Sequence, residues 1–223
     1  MSDLFYHSGS HVIEGPVGPL EVAAMAGGAE APYSGRHAFA LIAHPHPLHG
    51  GTMDNKVVTT LARAYRDLGL PVLRFNFRGV GQSGGEHDHA RGEVDDLLAV
   101  AAAGFEALPG ARVLLAGFSF GSSVAARASY RLDCPHLTLV APPVPRYEFT
   151  EGKGFAMPVC VLQGEADERV EEAAVRQWAK QLQGDVSYHR FADTGHFFHG
   201  RLPELKEQLG ATLRRQCPPE ALQ

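Results

Sequence analysis

Arg112-Val113-Leu114-Leu115-Ala116-Gly117-Phe118-Ser119-Phe120-Gly121-Ser122 decides how the rest of this 223-residue chain is organised. The run from Arg112 to Ala116 is apolar and β-like, and the run from Ser122 to Arg131 is helix-forming. Between them a turn carries one serine with a glycine two residues to either side, the Gly-x-Ser-x-Gly pattern of a nucleophile elbow. The need for glycine is steric. A serine pushed out on a tight strand-to-helix turn holds a strained backbone, and only small neighbours at minus two and plus two avoid collision. The helix that begins directly after Ser119 aims its free N–H groups and its positive dipole end at the place where an oxyanion would form.

Outward from this turn the chain alternates strand and helix. On the N-terminal side, Val12-Ile13, Gly15-Pro16-Val17-Gly18-Pro19 and Leu20-Glu21-Val22 read as an antiparallel hairpin around a Gly/Pro turn. His37 to Ala43 is a continuous apolar run of the kind buried on both faces of a parallel sheet. A helix is expected from about Asn55 to Leu68, with Asp54 or Asn55 as its cap and Gly69 as its stop, followed by a strand from Pro71 to Phe75. A glycine-rich loop, Arg78 to Gly85, leads to a helix from about Glu93 to Ala107. On the C-terminal side come strands at His136 to Val140, Pro158 to Leu162 and Val186 to Phe191. Helices are expected from about Val170 to Leu182, with Ala174, Trp178 and Leu182 inward, and from Pro203 to Arg215. This alternation predicts an α/β fold, a mostly parallel sheet with helices on both faces, in a single domain over residues 1–223.

Composition restricts the partners. Lys and Arg total 20 against 25 Asp and Glu, a net charge of −5 with no basic run, which argues against nucleic acid and anionic membranes. Met1-Ser2-Asp3-Leu4-Phe5 lacks the charged-then-apolar pattern of a leader, and no apolar run reaches the length of a membrane span, so a cytoplasmic protein is expected. Cys134, Cys160 and Cys217 are odd in number and without paired spacing, arguing against a disulfide framework or a zinc site.

In a doubly wound sheet the functional loops gather beyond the carboxyl ends of the strands. There the chain offers Gln163-Gly164-Glu165-Ala166-Asp167-Glu168-Arg169-Val170 and Asp193-Thr194-Gly195-His196-Phe197-Phe198. The order Ser…Asp…His is the one in which this fold carries a catalytic triad. These segments resemble the nucleophile, acid and histidine loops of the α/β-hydrolase superfamily, over a span from about His11 to the final helix. The string His44-Pro45-His46-Pro47-Leu48-His49-Gly50-Gly51-Thr52-Met53-Asp54-Asn55-Lys56-Val57 further resembles a branch of small, mainly bacterial, little characterised serine hydrolases. The resemblance implies hydrolase chemistry more firmly than it implies a substrate.

The roles follow from chemistry. Ser119 Oγ is a weak nucleophile at neutral pH and needs a base, for which His196 is the candidate; Asp167 would orient the imidazole and stabilise its cation. Asp193 is the rival acid and His199 the rival base. Phe120, the residue after the serine, is the natural first oxyanion donor. The second is expected from the loop after Ala43, where Pro45 and Pro47 have no N–H, which leaves His46, the favoured residue, or Leu48. The superfamily's common oxyanion loop has glycine where this chain has Pro45.

His44, His46 and His49 invite a zinc reading, but no clear carboxylate or cysteine set accompanies them; neither metal nor cofactor is expected. His87-Asp88-His89 reads as a solvated loop. The Arg78 to Gly81 stretch lacks the lysine and following helix of a P-loop and reads as a turn beside the site. Ala141 to Met157 is too short for the helical cap that many members of the superfamily insert, so a lidless, open site is expected. Its rim would carry Phe118, Phe197, Pro143 and Tyr147, with Phe120 and Phe198 adding apolar surface.

The leading expectation is a cofactor-free carboxylesterase acting on a small acyl substrate. A thioesterase, a dienelactone-type lactone hydrolase and a small peptidase or amidase use the same groups, and a non-catalytic binding protein of this fold is the alternative of a different class.

Overall fold

A computed structural model describes residues 4–5, 8–152 and 154–222; Met1 to Asp3, on which part of the leader reading rests, lie outside the described residues. Eight strands form one sheet in the order β1-β2-β4-β3-β5-β6-β7-β8. β1 (Gly9–Gly15) and β2 (Gly18–Met25) form the opening antiparallel hairpin, and β2 runs antiparallel to β4 (Val72–Phe75). From β4 onward, β3 (Ala38–Ala43), β5 (Arg112–Phe118), β6 (Leu137–Val140), β7 (Val159–Gly164) and β8 (Val186–Phe191) are all parallel.

The chain leaves β3 toward β4 and then returns to the other side of β3 as β5. That reversal makes the crevice beyond the ends of β3 and β5 the switch point of the sheet, where ligands of doubly wound folds bind. It also sorts the helices. α1 (Lys56–Asp67) and α5 (Leu202–Gln216) pack on one face through Val57, Val58, Leu61, Leu205, Leu209 and Leu213. α2 (Gly92–Ala107), α3 (Phe120–Ala128) and α4 (Glu172–Gln181) cover the other through Leu97, Val100, Val124 and Val175. Both faces of β3 and β5 are thereby dry, and each fully buried leucine or valine there contributes about 1.5–3 kcal/mol relative to exposure.

Local chemistry sets the element ends. Asn55, not Asp54, caps α1, its Oδ1 accepting the Val57 N–H at 2.9 Å, and Gly69 closes it at φ 104°. α4 starts at Glu172 rather than near Val170, because Asp167 Oδ1 accepts the N–H groups of Arg169 and Val170 and holds those residues in a turn. Val175 and Ala179 are its buried residues, and Trp178 and Leu182, half-buried, pack against the same core as expected; of the expected stripe only Ala174 is replaced, by Val175. The indole packs on Phe149 of that core, ring centroids 5.3 Å apart. Between β6 and β7 the described residues form no helix, so nothing helical roofs the strand ends. Among the described residues no helix is long and apolar enough to cross a membrane.

Candidate active site

Ser119 sits at φ 53°, ψ −122°, the strained turn between β5 and α3. Its N–H donates to Val140 O on β6 at 2.8 Å, and its carbonyl accepts from the Ser122 N–H at 2.9 Å, so both ends of the turn are tied down. A Cβ on Gly117 would collide with the backbone of Gly121, and one on Gly121 with the carbonyls of Ala43 and His44. The two glycines therefore let the elbow close on itself, and they let α3 lie directly against the end of β3.

That close approach brings the loop after β3 alongside the start of α3. His46 and Phe120 have ring centroids 5.0 Å apart. Among the described residues neither the Phe120 nor the His46 N–H donates to a protein acceptor, whereas the Leu48 N–H is donated to His46 Nδ1 at 3.2 Å. Leu48 is also 69% exposed, on the 3₁₀ turn Pro47–His49.

The loop owes its shape to His44. Its Nε2 accepts the Phe77 N–H at 3.0 Å, and its Nδ1 lies 2.6 Å from the Pro45 carbonyl, a pairing that puts the ring proton on Nδ1. Burial lowers the pKa of this imidazole to about 4 against the pull of the Pro45 carbonyl, so it is neutral at pH 7. His46 is lowered to about 4 as well, by burial and then by the neighbouring His49 and His87.

Facing Ser119 across the sheet ends, His196 Nε2 lies 3.0 Å from Ser119 Oγ, and its Nδ1 lies 2.9 Å from Asp167 Oδ2. A carboxylate only accepts, so the Nδ1 proton is donated to Asp167 and the Nε2 lone pair faces the serine hydroxyl. Burial of Asp167 opposes its ionisation. The hydrogen bond and charge of His196, together with the Arg169 and Val170 N–H groups, outweigh that and hold the carboxyl below its usual value. Gln163 Nε2 donates to the same Oδ2 at 3.1 Å, and Glu168 Oε2 accepts the His196 N–H at 3.1 Å. Neither of these supports stood out in the sequence; Glu168 looked like one of several solvated acids. Asp193 is exposed, at φ 49°, and His199 is exposed, so neither rival joins the chain of hydrogen bonds.

The cavity at Ser119 is about 130 Å³, and Pro143, Tyr147, Phe120 and Phe197 line it with His46 and His196. A cavity of about 150 Å³ accommodates benzene, so this one has room for a group of only a few heavy atoms. Phe118 does not line it. As the residue before the serine it points to the opposite face of β5, fully buried beneath His196 at a ring distance of 5.0 Å. Phe198 is likewise fully buried, against Phe191.

The segment His87-Asp88-His89 is not a solvated loop throughout. The His87 side chain is 6% exposed, with Nδ1 2.7 Å from Oε1 of Glu93, a wholly buried carboxylate. The His87 ring leans on both His46 (4.9 Å) and Phe120 (5.5 Å). The Arg78 to Gly81 turn is held from below by a buried fork from Arg78 to Asp96, and it lies beside Pro47 and Leu48 of the loop after β3.

Residues 36–215 match the family described as "Alpha/beta hydrolase domain". The crystal structure of XC6422 from Xanthomonas campestris, described as a member of a/b serine hydrolase without lid, aligns with a TM-score of 0.88 at 42% identity over 94% of each chain. An alpha-beta serine hydrolase homologue from Coxiella burnetii aligns with a TM-score of 0.87 at 42% identity, covering 92% of this chain and 97% of that one. An uncharacterized protein of Rickettsia prowazekii is 34% identical over 180 residues, 76% of either chain.

Proposed function

Because the chain belongs to the α/β-hydrolase domain family, we propose that it is a serine hydrolase cleaving small carboxylic esters through an acyl-enzyme. The observation that carries this reading is the continuous run Ser119 Oγ, His196 Nε2, His196 Nδ1, Asp167 Oδ2, with steps of 3.0 and 2.9 Å, mounted on a strained elbow.

In the first half-reaction Ser119 Oγ attacks the ester carbonyl carbon while His196 Nε2 takes the hydroxyl proton. The oxyanion of the tetrahedral intermediate receives hydrogen bonds from the Phe120 and His46 N–H groups and the favourable end of α3. His196 returns its proton to the leaving alkoxide oxygen as the C–O bond breaks, and the alcohol departs. In the second half-reaction water attacks the acyl-serine, His196 again taking and returning one proton, and the carboxylic acid leaves. Asp167, ionised throughout, stabilises each imidazolium. A small, open cavity suits a short acyl group.

A short-chain nitrophenyl ester and a fluorophosphonate probe test this directly. Turnover of the ester with covalent labelling of Ser119 is expected. A folded protein that shows neither refutes the reading in favour of a non-catalytic binding protein.

A further inference from the structure

Resting on the hydrolase reading above, we infer that the preferred substrate is an ester that also carries a carboxylate, held by Arg146 and Arg169 at the mouth of the Ser119 cavity. Both arginines line that cavity, and among the described residues no aspartate or glutamate does, although the chain as a whole carries a net charge of −5. The charged residues that line the cavity thus have the opposite sign from the chain as a whole, Asp167 and Glu168 standing behind that lining. Since the His46 imidazole is held neutral at pH 7 by burial, permanent positive charge at this mouth belongs to the guanidinium groups.

Their placement is specific. Arg146 comes from the connection between β6 and β7, Arg169 from the turn that carries Asp167. Arg146 Nη2 donates to the Arg169 carbonyl at 3.3 Å, which ties the two loops together across the opening. Arg169 lies over the Phe197 ring, its Cζ 5.1 Å from the centroid, and Phe197 packs edge-on against His196. One guanidinium is therefore stacked on the ring that flanks His196, and the other is hydrogen-bonded to the backbone of the residue that carries the first.

Neither charge is spent on a close internal ion pair. Among the described residues Arg146 has no carboxylate within ion-pair distance. The nearest to Arg169 is Glu168 Oε1, at 4.0 Å, and the other oxygen of Glu168 accepts the His196 N–H. A planar carboxylate matches the donor fork of a guanidinium, and the cavity has room for only a short spacer between that anion and the scissile bond. Arg169 is 48% exposed, so the attraction is solvent-screened and salt-sensitive.

The test compares matched esters: monomethyl glutarate and the acetyl ester of γ-hydroxybutyrate, each against the neutral analogue in which an isopropyl group replaces the carboxylate. Acyl-side and alcohol-side placement of the anion are thereby both sampled. At low ionic strength at least one carboxylate ester should exceed its neutral analogue in kcat/KM by about five- to tenfold, the effect of two exposed ion pairs. That ratio should fall toward one in 0.5 M salt (about half-molar, where the Debye length is only a few ångströms) and in the Arg146→Gln/Arg169→Gln variant, and should invert in Arg146→Glu/Arg169→Glu. Neutral esters turned over as well as, or better than, both carboxylate esters would overturn this inference and leave the hydrolase reading intact. No turnover of any ester together with no fluorophosphonate labelling of Ser119 would instead remove the hydrolase reading itself.

Discussion

His44 Nε2 accepts the backbone N–H of Phe77 at 3.0 Å, so the end of β3 and the loop beyond β4 are joined by a buried imidazole rather than by a strand pair. The same ring bonds the Pro45 carbonyl, which makes it the keystone of the loop that presents the His46 N–H.

Replacing His44 by phenylalanine keeps the ring volume and removes both hydrogen bonds, leaving the Phe77 N–H and the Pro45 carbonyl unpaired. With about 1–3 kcal/mol per buried unsatisfied group, urea unfolding should show a loss of roughly 2–4 kcal/mol. On the proposed reading, turnover of the nitrophenyl ester should fall with it, even at temperatures where the variant remains folded.

Acid should weaken the fold through two histidines. Burial pushes both His44 and His136 from 6.5 down to about 4, the latter against its hydrogen bond to Gln216. With the folded pKa below the unfolded one, the unfolded chain binds more protons between the two values. The stability they protect is therefore complete above about 6.5 and is lost progressively as pH falls toward about 4. The expected loss is on the order of 1–3 kcal/mol per imidazole, read as a falling urea midpoint across that window. A midpoint flat from neutrality to pH 4 would contradict it (an interval of about three units, over which such groups titrate fully).

Asp167→Asn should inactivate without unfolding. The side-chain oxygen must keep accepting the Arg169 and Val170 N–H groups, so the new amide NH₂ is turned toward the Gln163 NH₂ and His196 Nδ1. Donor then faces donor, the imidazole shifts its proton to Nε2, and the base is lost. A fall in kcat of about 10⁴-fold is expected, with far-UV circular dichroism unchanged; Ser119→Ala should cost more, about 10⁶-fold.

Gly121→Ala places a methyl group against the carbonyls of Ala43 and His44, and backbone on both sides leaves it no room to move. The variant should lose well over ~3 kcal/mol, by the measure of severe overpacking, or fail to accumulate in soluble form. Gly9→Ala, with nothing within 4 Å of the added carbon, is the matched control and should stay within about 0.5 kcal/mol of the parent.

Glu93→Gln tests whether the His87 buttress matters for the oxyanion loops. Removing the charge beside His87 Nδ1 frees a ring that leans on both His46 and Phe120. We expect kcat to drop roughly tenfold with KM nearly constant, a fraction of the 10²–10³ (about 3–4 kcal/mol) that losing a whole oxyanion donor costs. Equal changes in kcat and KM would point to a purely structural role.

Much of the architecture was legible because it is written in local periodicity. The apolar run at Ala38–Ala43, the four-residue spacing of Leu205, Leu209 and Leu213, and the glycines flanking Ser119 each answer a constraint felt within one element or turn. The strand-helix alternation that follows from them, with the order Ser119, Asp167, His196, already points to a doubly wound sheet with its loops gathered at one end. Through-space relations were not legible. That the Leu48 N–H is already taken by His46, that Phe118 turns beneath the histidine instead of toward the cavity, that Gln163 supports the Asp167 carboxylate and that Glu93 stands behind His87 all depend on how the chain is folded back on itself. Contacts of about 3 Å between groups tens of residues apart have no signature along the chain; the parallel pairing of β7 with β8 sets the acid loop beside the histidine loop, and the packing of α3 against the end of β3, permitted by the missing side chain of Gly121, sets Ser119 beside the loop that carries His46.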